Sequence, residues 1–223
     1  MGQIIQFGGS RGFLAVPDTK PRGGVVVIQE WWGLVPHIQS LAQRLADEGY
    51  VALAPDFYDG AATTEPDEAV KLMMKMRLSE ASDLIAKAAA HLVARDDVES
   101  PVGAIGFCMG GGLAMLAGSV SPDIAVTVGF YPATPWQDYA PDWSAYAGKT
   151  AIVHASEEDG GTQTPGLLAA QEAITAAGGT YIAYDYPGTK HAFFNDDRPE
   201  VYDPVAAALA WERTLTALLA ISR

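Results

Sequence analysis

The chain has 223 residues, about half of them apolar and under a fifth charged, which suits one large globular domain with a substantial core. Its net charge of −13 and pI near 4.5 argue against nucleic-acid and anionic-membrane surfaces as partners, because both select a basic face. Cys108 is the one cysteine, so no intrachain disulfide can form.

In chain order, residues 3–7 and 12–16 read as a short opening hairpin. Residues 24–30 (Gly-Val-Val-Val-Ile-Gln-Glu) read as a buried β-branched strand. Residues 36–49 are amphipathic and close on a glycine, the pattern of a helix with its stop signal. Residues 50–55 follow as a strand. Residues 66–95 read as largely helical, with a break expected near 79–82. An apolar run from Val102 leads into Gly106 and is followed by a helical stretch. Further strands are expected at 124–131, 150–155 and 180–186, with helices at 165–177 and 199–221. Residues 56–67 and 134–148 are the long connections, the second carrying two tryptophans. Continuous apolar strands alternating with helices predict an α/β fold with a mostly parallel central sheet and helices on both faces. With no linker or repeat in sight, residues 1–223 are expected to form a single domain. No basic, apolar leader is read at the N-terminus and no run of membrane-spanning length. A cytoplasmic setting is therefore the expectation, as a monomer or small homo-oligomer.

Chemistry gathers at the carboxyl ends of the strands in such a sheet, and the most informative residues lie at one of them. Gly106-Phe107-Cys108-Met109-Gly110 is a G-x-C-x-G at a strand-to-helix junction, the pattern of a nucleophile elbow with cysteine in the usual place of serine. A nucleophile at a helix N-terminus meets free N–H groups and a partial positive charge, which favour a thiolate and an oxyanion. The pattern lacks the Lys-Ser/Thr of a P-loop and is not spaced as G-x-G-x-x-G.

A cysteine elbow needs a base, and His191 lies in the loop after the last strand, where its ring can reach over the elbow. The base needs a carboxylate to fix its tautomer. Glu157, Glu158 and Asp159 all follow the 150–155 strand. Asp159 is preferred because it lies furthest past the strand, before Gly160-Gly161. Glu30, at the end of a buried strand, is costly unless paired or functional. The fold supplies a second oxyanion donor at the same place, so the hole is assigned to the backbone N–H groups of Met109 and Trp31. Trp32, Tyr58, Phe107, Phe193 and Asn195 are expected to line the substrate mouth. His154 reads as a packed residue, and His37 and His91 as ordinary helix residues. No cluster has metal-ligand spacing, so neither metal nor cofactor is expected.

At this point the chain resembles the dienelactone hydrolase family over essentially its whole length. The resemblance rests on Val27-Ile28-Gln29-Glu30-Trp31-Trp32-Gly33, Ala54-Pro55-Asp56-Phe57-Tyr58, Gly106-Phe107-Cys108-Met109-Gly110-Gly111 and Gly188-Thr189-Lys190-His191-Ala192-Phe193. It implies a small α/β-hydrolase without a cap domain and a triad of Cys108, His191 and Asp159. It also implies a Glu30 that holds the resting thiol and helps to form the thiolate. Members acting on anionic lactones grip the substrate carboxylate with two arginines. Here the first region reads Glu65-Pro66-Asp67-Glu68 and the second Phe194-Asn195-Asp196, with Arg198 three residues beyond Asn195. The expectation is therefore a hydrolase of small, neutral esters or lactones working through a thioester acyl-enzyme. A thioester hydrolase on the same triad is the nearest alternative, and a catalytically silent binding protein the alternative from another class.

Overall fold

A computed structural model describes residues 2–99, 101–133 and 141–222. Eight strands form one sheet in the order β1-β2-β4-β3-β5-β6-β7-β8. The opening hairpin, β1 (Gln3–Phe7) and β2 (Ser10–Ala15), is antiparallel and joins β4 (Tyr50–Pro55) antiparallel. From β4 through β3 (Gly23–Ile28), β5 (Val102–Phe107), β6 (Ile124–Phe130), β7 (Thr150–Ser156) and β8 (Thr180–Tyr186) every pairing is parallel. Strands β3, β4 and β5 are buried at every position, as expected of a parallel sheet covered on both faces. This is the α/β-hydrolase fold.

Apolar layers lie on both sides of the sheet. One combines α1 (Pro36–Asp47) and α6 (Pro204–Leu218) with Val25, Val27, Ile105, Phe107 and Phe130. The other combines α3 (Leu78–Val93) and α4 (Met109–Val120) with Val26, Ile28 and Leu53. Helix α4 is buried from Met109 to Gly118 and has no polar face, which marks it as the central helix of the molecule. α5 (Pro165–Ala176) packs near the β8 edge.

Two helix boundaries differ from the sequence reading, and one apolar run was not read as long. The break in the 66–95 region comes at Met76 and Arg77, both extended, between α2 (Pro66–Lys75) and α3. Ser79 and Ser82 instead lie inside α3, with Ser82 buried. No glycine or proline marks the true break. The last helix starts at Pro204 rather than at 199: the Asp203 side chain accepts from the Val205 and Ala206 N–H groups, and Pro204 takes the first helical position. Finally, 204–221 is 18 residues long with mean hydropathy 1.3, long and apolar enough to cross a membrane. A third of this stretch is buried: Ala206, Ala207, Ala210 and Leu218 pack in the core, while Val205, Leu209 and Leu219 are exposed. Of the long connection expected at 134–148, residues 134–140 lie outside the described residues, and Trp143–Tyr146 form a short 3-10 turn.

Candidate active site

The elbow is built by close backbone contact. β5 lies between β3 and β6, and its last residues turn directly into α4. A Cβ on Gly106 would lie 1.8 Å from the Gly110 carbonyl oxygen, and one on Gly110 would lie 2.3 Å from the Gln29 carbonyl. Any side chain at either position would push the helix off the sheet. Cys108 takes φ 55° and ψ −118°, outside the regions that L-residues prefer. It is held there by bonds from its N–H to Phe130 O (3.0 Å) and from Ala133 N and Gly111 N to its own carbonyl (both 3.0 Å). Of the four described non-glycine residues with positive φ, three converge on this place: Cys108, Tyr131 and Ala192, next to His191. Such local strain persists only where the surroundings over-determine it, and it clusters at functional sites.

His191 and Asp159 meet over the elbow. His191 Nδ1 lies 2.7 Å from Asp159 Oδ2, and Cys108 is near enough to the ring to act on its charge. Burial alone would lower the imidazole pKa. Asp159 and Cys108 outweigh it and raise the value to about 10. Burial would likewise raise the Asp159 pKa, but His191 and the Ser156 hydroxyl, which donates to Oδ2, bring it below the usual carboxylate range. The neighbouring acids have other partners: Glu158 accepts from the His191 backbone N–H at 2.6 Å, and Glu157 accepts from Gly188 N–H. The Tyr131 ring meets the His191 ring edge-on at 5.1 Å.

Glu30 is 1 % exposed. It accepts from Asn195 Nδ2 at 2.9 Å and from the Tyr131 hydroxyl at 3.5 Å. Burial raises its pKa, only partly opposed by Asn195, His191, Arg198 and Tyr131. The thiol thus lies beside His191, while the Glu30 carboxylate is held by Asn195 and Tyr131. Met109 opens α4, so its N–H has no acceptor within the helix. The Trp31 N–H has no hydrogen-bond partner among the described residues.

The expected mouth residues divide. Trp32 and Asn195 line a cavity of about 460 Å³ together with Thr63, His37, Asp197 and Arg198. Tyr58 is half-buried, with its hydroxyl 3.5 Å from Met109 Sδ and its ring near Cys108, so that burial and the thiol both raise its pKa. Phe107 and Phe193 are corrected: they are 1 % and 0 % exposed. Phe107 stacks on Phe130 and Phe194, and Phe193 packs against Tyr131 and Tyr186. Phe107 is the last residue of a fully buried strand, so its side chain points into the core while the next residue rises above the sheet. His154 is packed as expected, fully buried between Tyr186 OH (2.8 Å) and Thr214 Oγ1 (3.1 Å). The sequence has no metal-ligand spacing, yet one group of side chains that could hold an ion comes together in the fold. His37, on a helix as expected and buried there, meets Asp196 and Asp197, with candidate ligand atoms all within 4.8 Å of one another. These residues are far apart in sequence, so spacing could not reveal them.

Sequence reasoning missed Tyr131, Ser156 and the placement of Arg198. Tyr131 directly follows β6 and Ser156 ends β7, both beside the elbow strand or its neighbour. The rule that sites gather at carboxyl strand ends was the available signal.

A strained cysteine at a helix N-terminus, a bonded imidazole and a carboxylate behind it define a site of the α/β-hydrolase class. The chain matches the dienelactone hydrolase family over residues 10–222, and it belongs to that family of hydrolases. It is 36% identical to Protein usf of Aquifex pyrophilus, covering 96% of each chain. It is 34% identical, over 95% of each chain, to a protein of Aquifex aeolicus (strain VF5) assigned by name to the carboxymethylenebutenolidases. Among solved structures, a dienelactone hydrolase-like promiscuous phosphotriesterase from metagenomic libraries superposes with TM-score 0.83 at 22% identity, covering 100% of this chain and 99% of that one. That likeness speaks for the fold.

Proposed function

We propose that the protein hydrolyses small, neutral ester or lactone substrates, with Cys108 as nucleophile and a thioester acyl-enzyme as intermediate. The observation that carries this reading is the His191–Asp159 bond beside Cys108, whose backbone is held in a strained turn at the start of α4. The Cys108 thiolate attacks the carbonyl carbon, and the resulting oxyanion is stabilised by the N–H groups of Met109 and Trp31. As the tetrahedral intermediate collapses, the C–O bond breaks and His191 gives its proton to the departing alkoxide, leaving the thioester. Water then attacks the thioester and passes a proton to His191, and the acid leaves as the thiolate is restored. Asp159 holds the imidazole in the tautomer that can do both. Glu30 lies beside this machinery as the carboxylate on which Asn195 and Tyr131 converge, and its proton affinity, raised by burial, suits it to assist formation of the thiolate.

The test is Cys108→Ala on p-nitrophenyl acetate. Turnover should be abolished, and Cys108→Ser should retain little, because a hydroxyl is far harder to deprotonate. Near wild-type activity in Cys108→Ala would overturn the reading. A silent binding protein on this scaffold would also leave Cys108 unreactive toward iodoacetamide below pH ~8.5, whereas an activated thiol labels stoichiometrically.

A further inference from the structure

The segment that follows His191 carries a second group of polar side chains. Asp196 and Asp197 lie on it, and His37 approaches them from the first turn of α1. His37 is 3 % exposed, and neither ring nitrogen has an aligned hydrogen-bond partner. Its Nδ1 lies 3.3 Å from Asp196 Oδ1. A buried imidazole with both nitrogens unsatisfied costs free energy. If Nδ1 is unprotonated, its lone pair faces a carboxylate oxygen, a contact that is repulsive unless a cation lies between them. Asp196 Oδ2 is occupied by Arg44, which leaves Oδ1 free on the His37 side. His37 and Asp197 both line the cavity shared with Trp32, Asn195 and Arg198.

We propose that His37, Asp196 and Asp197 form a binding site for one divalent transition-metal ion, with the remaining coordination positions facing that cavity. One imidazole and two carboxylates suit Zn²⁺ or Co²⁺ better than an all-oxygen cation. Bond lengths of about 2.0–2.2 Å are met when the exposed Asp196 and Asp197 carboxylates close on the fixed His37 ring. The ion would tie the segment after His191 to α1. Asn195 lies on that segment and bonds Glu30, so the ion would fix Asn195 against the carboxylate. This site is independent of the nucleophile reading.

A thiolate and an imidazole can themselves bind metal, so the measurement uses folded Cys108→Ala protein titrated with Co²⁺ and followed by visible absorption and calorimetry. One ion per chain is expected. Adding His37→Gln or, separately, Asp197→Ala should weaken binding by at least ~10-fold. Asp197 is exposed, so that variant separates ligand loss from misfolding at His37. Absence of binding at millimolar Co²⁺, or binding that neither variant alters, would overturn the site.

Discussion

Glu157, Glu158 and Asp159 are consecutive carboxylates with three different partners: a glycine N–H, the backbone N–H of His191, and its ring. Only the last can control the tautomer of a base. His191→Ala should therefore lower the rate of ester turnover by on the order of 10²-fold or more, the usual scale for general acid–base help. Asp159→Asn should be crippled to a similar or smaller degree, with kcat falling more than KM changes. Glu157→Gln and Glu158→Gln should stay close to wild type, since an amide oxygen can still accept a backbone bond. Steady-state kinetics of the three variants decide the assignment, and a defect confined to a glutamate variant would move the acid. The Asp159–His191 contact was legible in the sequence because glycines follow Asp159 and its strand ends just before. Ser156, which supports it, was not, since a serine at a strand end carries no signal until its hydroxyl is seen on the carboxylate.

At the scale of elements, the turn from β5 to α4 is the most constrained junction in the fold. Gly106 and Gly110 face each other so closely that one methyl group has nowhere to go. Gly106→Ala should cost at least ~3 kcal/mol of stability, among the larger effects of single substitutions, because the obstacle is backbone and cannot rotate aside. Guanidinium unfolding checks this. A variant as stable as wild type would mean that α4 can lift from the sheet. The elbow was readable for the same steric reason: only small residues fit, so the G-x-C-x-G survives as a pattern in the sequence. Most strands were also readable, because two-sided burial leaves continuous apolar runs. The Met76–Arg77 break and the start of α6 were not read correctly. The first lacks a glycine or proline, and at the second Pro199 competed with the true Asp203-Pro204 signal.

Over the whole molecule, charge and burial set two expectations. His154 is neutral and enclosed, with its pKa lowered to about 3 from 6.5 by burial first and Arg213 second. Below pH 6.5 the unfolded chain takes up a proton that the folded chain refuses, so stability falls as pH falls, until the folded state also titrates near 3. The loss attributable to this group is on the order of 5 kcal/mol across that window. Unfolding midpoints at pH 7 and pH 4 should therefore differ less in His154→Gln than in wild type, and equal differences would remove His154 from the account. The second expectation concerns substrate charge. Arg198 reaches the cavity beside Asn195, although neither position where the resemblance places an arginine carries one. It nevertheless pairs with Glu200 (Nε to Oε1, 2.9 Å), has Asp197 on the same wall, and belongs to a chain of net charge −13. A partly exposed, already paired arginine gives a carboxylate much less than a free bidentate clamp does, and the long-range field repels anions. In metal-free enzyme a neutral lactone should accordingly be hydrolysed with a kcat/KM roughly 10-fold or more above that of cis-dienelactone, the scale of one unmade charged hydrogen bond. Added salt should narrow the gap by screening the repulsion. If the carboxylated substrate is preferred and Arg198→Ala removes that preference, Arg198 is a working clamp and the neutral-substrate reading fails.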